Sequence, residues 1–554
     1  MPPSSAPTLR ALHVVCTLWA CVLTGCAESP GPTPDGGVPP PPVDSGTADA
    51  GTEPWDGTAI PLEEHGNRVD EGPYAPCAHV GNGAQACETL EPSGFDLSAC
   101  DPAALAQVPS VGIYRALTRE VRGLTDGGTE VSLASIGFGL WDNGEASTLS
   151  NQPLVTQQTG DGQFFLAMRR ATPPLGASMA LAGCQAPKPG VITGCYVRCN
   201  QGAFSRSGTF EAHRMTWPEG ESESSGGLTL RAEAPVSVGG MVADVYVTKA
   251  HAYVVSISQF GVGGGLTVFD VSDPAHPVFK TSIHIPGDSY WNGVWAQGDA
   301  LYIASSVSGV IVYDITEPGA PAFIRSLPSG LFGVHTVLVH GERLYTTNNE
   351  GRTDVFDVRV PLEPVQLTSI ALAEEYSFGG PHDLFVHEDR LYISNAQGGY
   401  SIMDISDLED VRHLGQYSYP DVYSHHSAVG TFAGRTIAFE GGEFESSHLR
   451  VLDVTDPANI VKIGEHRKRP ATSIHNLILQ GDRLYIAWYH EGLRVLDVSN
   501  PTRPREVAHF NTYRETDPGR TDGLFQGAFG VRVPGDGFIY VAESARGLLI
   551  FEQP

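Results

Sequence analysis

No cysteine follows Cys199 in this 554-residue chain, and basic residues are scarce throughout. Lys and Arg number 34 against 63 Asp and Glu, a formal charge of −29 at pH 7. Nucleic-acid binding rests on clustered cations that displace the counterions of the phosphate backbone, so no nucleic-acid partner is expected. The one compact basic run, Arg467-Lys468-Arg469 after His466, reads as a solvated loop. Beyond the N-terminus no apolar run is long enough to cross a membrane as a helix, which makes a soluble mature body the expectation. A Gly-x-Ser-x-Gly elbow, a phosphate-binding loop and a His-Glu-x-x-His helix are all missing, so nothing supports a standard hydrolase or nucleotide enzyme. What the chain has instead is turn-forming residues. Its 64 Gly and 41 Pro beside 41% hydrophobic content suit an all-β protein.

One skeleton recurs through the second half. In Gly265-Leu-Thr-Val-Phe-Asp-Val-Ser-Asp-Pro-Ala-His-Pro-Val278 an apolar strand ends in Asp270, a tight turn follows, and a second strand opens after Pro277. Further copies end in Asp314, Asp357, Asp404, Asp453 and Asp497, at spacings of 44, 43, 47, 49 and 44 residues, and a last one ends in Glu552. A strand-built period of about 40–50 residues signals a propeller or array. Each unit reads as four strands, the second carrying a tyrosine: Tyr253, Tyr302, Tyr345, Tyr392, Tyr485 and Tyr540, with Ile437 standing in once. First strands at Asp244, Gly293, Thr336, Asp383, Ala428, Asn476 and Gly530 make a seven-bladed β-propeller over residues 227–554, with six or eight blades left open by the insertion-rich segments. The last unit lacks a fourth strand, which residues 228–236 are expected to supply, closing the ring. The repeats resemble the LVIVD-repeat family. That resemblance implies a β-propeller, commonly exported, with no uniform catalytic activity. Arg359-Val-Pro361, Leu408 after Asp407 and the truncated last copy depart from its pattern.

The first 26 residues have the form of an export signal, with Arg10 ahead of an apolar run from Ala11 to Leu23. Leu23-Thr-Gly-Cys26 resembles the bacterial lipobox, which implies cleavage before Cys26 and a lipid anchor upon it. Ala27 then implies a cell-envelope location at the outer membrane or cell surface. Residues 27–65, with Pro30-Gly-Pro-Thr-Pro34 and Pro39-Pro-Pro-Pro-Val43, are expected to be a disordered tether. Residues 66–226 hold Cys77, Cys87, Cys100, Cys184, Cys195 and Cys199. In an exported chain these read as three disulfides stapling a small β-rich domain, a zinc site being the alternative. Cys195 and Cys199 cannot pair with each other if Cys195-Tyr-Val-Arg-Cys199 is a strand, since they would lie about 13 Å apart.

Candidate chemistry comes from residues that break the repeat. The recurrent aspartates are expected to brace turns by accepting backbone hydrogen bonds. Histidines are different: His335, His382 and His475 directly precede first strands, and His425 and His426 lie close to the corresponding place in the fifth unit. Ser427 holds that place by count, while Ala243, Asn292 and Phe529 hold it elsewhere. Because first strands line a propeller's channel, His335, His382, His426 and His475 are candidate ligands for a divalent metal, the other reading being hydrogen-bonded bracing of loops. Asn348, Asn349, Asn395, Glu440, Glu443, Trp488, Tyr489, His490 and Glu543, with Tyr290, Trp291, Phe332 and Tyr423, are expected near the same face, as a ligand pocket or as loop anchors. Two functions follow as expectations. One is a lipid-anchored envelope propeller that binds a protein or glycan. The other is a metal-dependent hydrolase or lyase with Glu440 or Glu543 as base.

Overall fold

From Thr229 onward, short apolar strands separated by turn residues form seven antiparallel sheets. Blade 1 comprises Met241–Thr248, His251–Ile257, Gly265–Asp270 and Val278–Ile283, and the next five repeat its order. In blade 7 the outermost strand is Thr229–Ala234, which runs antiparallel to Gly547–Glu552 with Thr229 opposite Glu552. The two ends of the repeat region therefore close the ring, as the sequence suggested. Blade 6 carries an extra short strand, Ser224–Ser225, on its edge strand Arg505–Phe510. The computed structural model describes residues 55–81, 87, 90–109, 111–123, 128–170, 176–259, 261, 263–330 and 332–554. The export signal, Cys26 and the tether up to residue 54 lie outside the described residues.

The repeat aspartates are turn braces. Asp270 accepts from the Ser272 amide at 3.0 Å and the Ser272 hydroxyl at 2.7 Å, and Asp314, Asp404 and Asp497 do the same with Thr316, Ser406 and Ser499. In blade 3, Asp357 accepts from the amide and guanidinium of Arg359 instead. A second-strand tyrosine can reach the next blade: the hydroxyl of Tyr253 donates to the Pro318 carbonyl (2.9 Å) and that of Tyr302 to Pro361 (2.6 Å). Brace and latch belong to one device, since each such tyrosine grips its neighbour's braced turn.

Upstream, eight strands from Gly112–Gly123 to Ala203–Arg214 close into a barrel. Tyr114, Phe138, Phe164, Leu166, Leu181, Tyr196 and Phe210 fill it. Along Val191–Asn200 alternate side chains face opposite ways, so Tyr196 lies inside while Cys195 and Cys199 face out. There they pair with Cys77 and Cys87, and Cys100 pairs with Cys184. The segment around Phe95 is thereby stapled over an apolar outer face.

The tether expected to run to residue 65 is ordered over its last eleven positions, 55–65, which dock on the propeller. Trp55 packs with Phe439, Ile463 and Ile486. The Leu62 amide donates to the Lys462 carbonyl at 2.8 Å, and Glu64 accepts from Arg450 at 2.9 Å and from Tyr417 at 2.7 Å. The Pro-rich composition lies earlier; here a buried indole and a bidentate ion pair offset the ordering entropy.

Candidate metal centre

The first strand of a blade starts at the channel, and in five blades a β-bulge interrupts it there. The bulged residues are Ala243, Asn292, His335, His425 and Phe529. His382 and His475 hold the same place in blades 4 and 6, one residue before Asp383 and Asn476. A bulge turns its extra side chain away from the ladder, here toward the axis. Four successive blades thus bring imidazoles together. Ring centroids are 4.1 Å apart for His335 and His382, 4.3 Å for His382 and His425, and 4.3 Å for His425 and His475.

His426 does not join this arc. It occupies the next layer down the channel, where its Nδ1 accepts from the Leu477 amide at 3.3 Å and its Nε2 lies 3.8 Å from Asp383. Counting back from the outer turn misplaces blade 5, because its first hairpin is two residues longer at that end. Pairing across the sheet shows the true register: Phe439 opposes Val451 as Tyr345 opposes Val355. Phe439, rather than Ile437, therefore takes the tyrosine position, and His425 takes the bulge. A slip of two residues keeps each side chain on its face, so the apolar pattern gave no warning.

The arc faces one carboxylate, Glu443, from the loop after blade 5's second strand. His425 Nε2 and His475 Nε2 each lie 3.8 Å from a different Glu443 oxygen. These gaps exceed a hydrogen bond and approach the separation of about 3.4 Å expected for two ligand atoms on one tetrahedral zinc-sized cation. One atom each from His382, His425 and Glu443 lies within 4.8 Å of the others. His475 Nδ1 donates to the Phe529 carbonyl at 2.5 Å, which leaves Nε2 with a bare lone pair toward Glu443. The Nδ1 atoms of His382 and His425 are buried without partners. His335 is differently engaged, since the Asn292 amide donates to its Nε2 at 3.1 Å.

Burial sets the charge states here. It lowers His335 to about 4 and His475 to about 3, and with the neighbouring imidazoles it takes His382 and His425 well below the usual value. Burial raises Glu443 to about 7, partly offset by the Tyr489 hydroxyl, which donates to it at 2.5 Å. Tyr489 holds this position with a φ of +22° at the tip of the Trp488–Glu491 turn, a strained conformation for a bulky side chain. Neutral imidazoles with unshared lone pairs beside a carboxylate are the donor set a borderline transition-metal cation takes; calcium or magnesium would want oxygens.

The other sequence candidates are divided. Glu440 is buried against Tyr419 and Arg450, away from the arc, and Glu543 is bound by Arg520 and by two backbone amides. Neither is paired with a histidine of the arc, which Glu443 faces instead. Asn348, Asn395, Trp291 and Trp488 are buried loop and blade anchors, whereas Asn349 and Phe332 remain exposed. The barrel stands against loops on this face: Ser135 donates to Glu445 at 2.6 Å, Thr148 to Asp522 at 2.8 Å, and Arg214 to Glu515 at 2.6 Å. The barrel therefore covers part of this loop face; His425 and His475 are buried, whereas His335 and His382 keep partial exposure and line the channel cavity with them.

Residues 239–284, 289–327, 379–417 and 473–512 match the LVIVD repeat. These are blades 1, 2, 4 and 6; the unmatched blades carry the Arg359 turn, the lengthened hairpin and the closure. A propeller with LVIVD repeats fits a binding or scaffold module. No curated protein matches the chain. Among solved structures, the WD40 β-propeller domain of Doa1 is 11% identical over 59% of this chain and 98% of its own, with a TM-score of 0.44. A chain of the mitotic checkpoint complex is 11% identical over 62% and 99%, also at 0.44. Neither likeness bears on function.

Proposed function

We propose that this chain is an envelope-tethered binding module that holds one transition-metal cation at the mouth of its propeller channel. The observation that carries this reading is the Glu443 carboxylate facing two histidine nitrogens across 3.8 Å gaps, with orphaned imidazole nitrogens beside it. His382, His425, His475 and Glu443 would hold the cation, with His335 braced by Asn292 at the edge of the set. Bound there, a divalent cation would supply Lewis acidity in a water-poor site. Tyr489 orients Glu443, and the strained turn fixes Tyr489. The lipid-anchored location rests on Cys26 and its preceding residues. A protein or glycan partner would use the exposed parts of the module, because most of the loop residues proposed for it are buried.

A metal titration of the untagged, chelator-stripped protein tests the site. Uptake of about one zinc or copper ion per chain is expected, and His382→Ala/His425→Ala should weaken it by about 100-fold or more. His426→Ala should leave uptake nearly unchanged. Binding that survives loss of His425, or that depends equally on His426, would overturn the assignment.

A further inference from the structure

The turn that sends Tyr489 toward the metal centre sends the next side chain elsewhere. His490 lies between propeller and barrel, 1% exposed, with neither ring nitrogen partnered. Its ring is 4.6 Å from that of Tyr513, whose hydroxyl is likewise buried and unpartnered. The guanidinium of Arg520 sits 4.5 Å over the other ring, Tyr513, while itself binding Glu543 and Asp517.

From the barrel comes Arg115, 5% exposed. Its Nη1 donates to the Asp522 carbonyl at 3.1 Å and its Nη2 to the Ser135 hydroxyl, and its Nε is left over. Among the described residues Arg115 makes no salt bridge; Glu445 is reached only through Ser135. From the loop before blade 6 comes Arg469, whose Nε donates to Glu491 and Nη1 to the Thr216 carbonyl, both at 2.7 Å. Its Nη2 is also left over. The charged groups that act on His490 are Arg115, Arg469 and Arg520, and with burial they hold its ring neutral.

Four residues thus leave one donor atom each unused in one buried region: Arg115 Nε, Arg469 Nη2, the Tyr513 hydroxyl and a ring nitrogen of His490. Unmatched buried donors are costly, and so is a buried guanidinium without a counterion. A negatively charged acceptor removes both costs. Carboxylates and phosphates are read by paired donors of one guanidinium fork, but here every fork of Arg115 and Arg469 already has at least one arm engaged. Single donors from separate residues suit a spherical acceptor. We propose that the junction of barrel and propeller binds one halide-sized monovalent anion between Arg115, Arg469, His490 and Tyr513. This site is separate from the metal centre and does not depend on it.

Crystals of the full chain soaked in sodium bromide test the assignment by anomalous scattering, alongside thermal unfolding in bromide against gluconate at equal ionic strength. One bromide among the four residues is expected, with an unfolding midpoint that rises with bromide and not with gluconate. Tyr513→Phe removes only a hydroxyl and should weaken the bromide effect about tenfold. Arg115→Gln should abolish the effect; the phenylalanine variant still decides the question if that protein does not fold. Metal uptake should stay unchanged in both, which separates this test from that of the metal centre. A water molecule at the position in bromide-soaked crystals, or equal midpoints in the two salts, overturns the proposal.

Discussion

Glu64 shows how much one residue of a supposed tether can hold. Burial pushes its carboxyl up, but the Arg450 guanidinium, the Tyr417 hydroxyl and the Gly66 amide together outweigh that and bring it down to about 2 from the usual 4.5. A carboxyl that ionises more readily folded than unfolded adds stability above about pH 4.5 and loses it as pH falls toward 2. The shift corresponds to about 3 kcal/mol. Glu64→Gln is therefore expected to lower stability at pH 7 by about 2–4 kcal/mol and to flatten its decline between pH 4.5 and 3, as read by urea unfolding at each pH. An unaltered acid limb would sink the idea. Other residues were partly legible. His335, His382 and His475 could be picked out because they break a repeat at one fixed place. Glu443 was visible only as one loop residue among many, since nothing in a sequence says which loop carboxylate turns inward.

Among the elements, the closing strand has most to reveal. Thr229–Ala234 gives blade 7 its fourth strand, and Gly547–Glu552 would otherwise present an unpaired edge. Proline removes a ladder donor, and adjacent prolines remove one from each side of the strand. Ala232→Pro/Glu233→Pro in the full chain should destabilise it by about 3 kcal/mol or more and speed amide exchange across residues 547–552. Unchanged protection there would show that the ring does not depend on this closure. The bulged first strands were less legible than this pairing. A bulge adds a residue without altering the apolar alternation further along, so only the ladder's partners reveal which histidine it displaces.

For the whole molecule, tether, strap, barrel and propeller form a sequence of roles along the chain. If Cys26 carries lipid, acyl chains hold the protein at a membrane, and Cys26→Ser should shift it from the membrane fraction to the soluble fraction on cell fractionation. Unchanged partitioning would count against the anchor. Residues 55–68 then strap the chain to blades 4 and 5, and the barrel stands on the loops of blades 5 to 7. This packing explains why the loop face, read from sequence as a pocket for a protein or glycan, offers few free side chains.

The amino-acid sequence by itself determined what repeats: seven blades, the braced aspartate turns, the tyrosine position in every blade but the fifth, and a fourth strand borrowed from upstream. Those features rest on local hydrogen bonds and on an apolar alternation that each 40-to-50-residue unit carries within itself. Which histidine completes the arc, which carboxylate faces it, and where Arg115 meets His490 were decided only in the tertiary structure. Those contacts join residues from separate blades or from barrel and propeller, Arg115 and Asp522 being 407 positions apart. No periodicity records such pairs, because each arises from how whole units pack and not from the pattern within one.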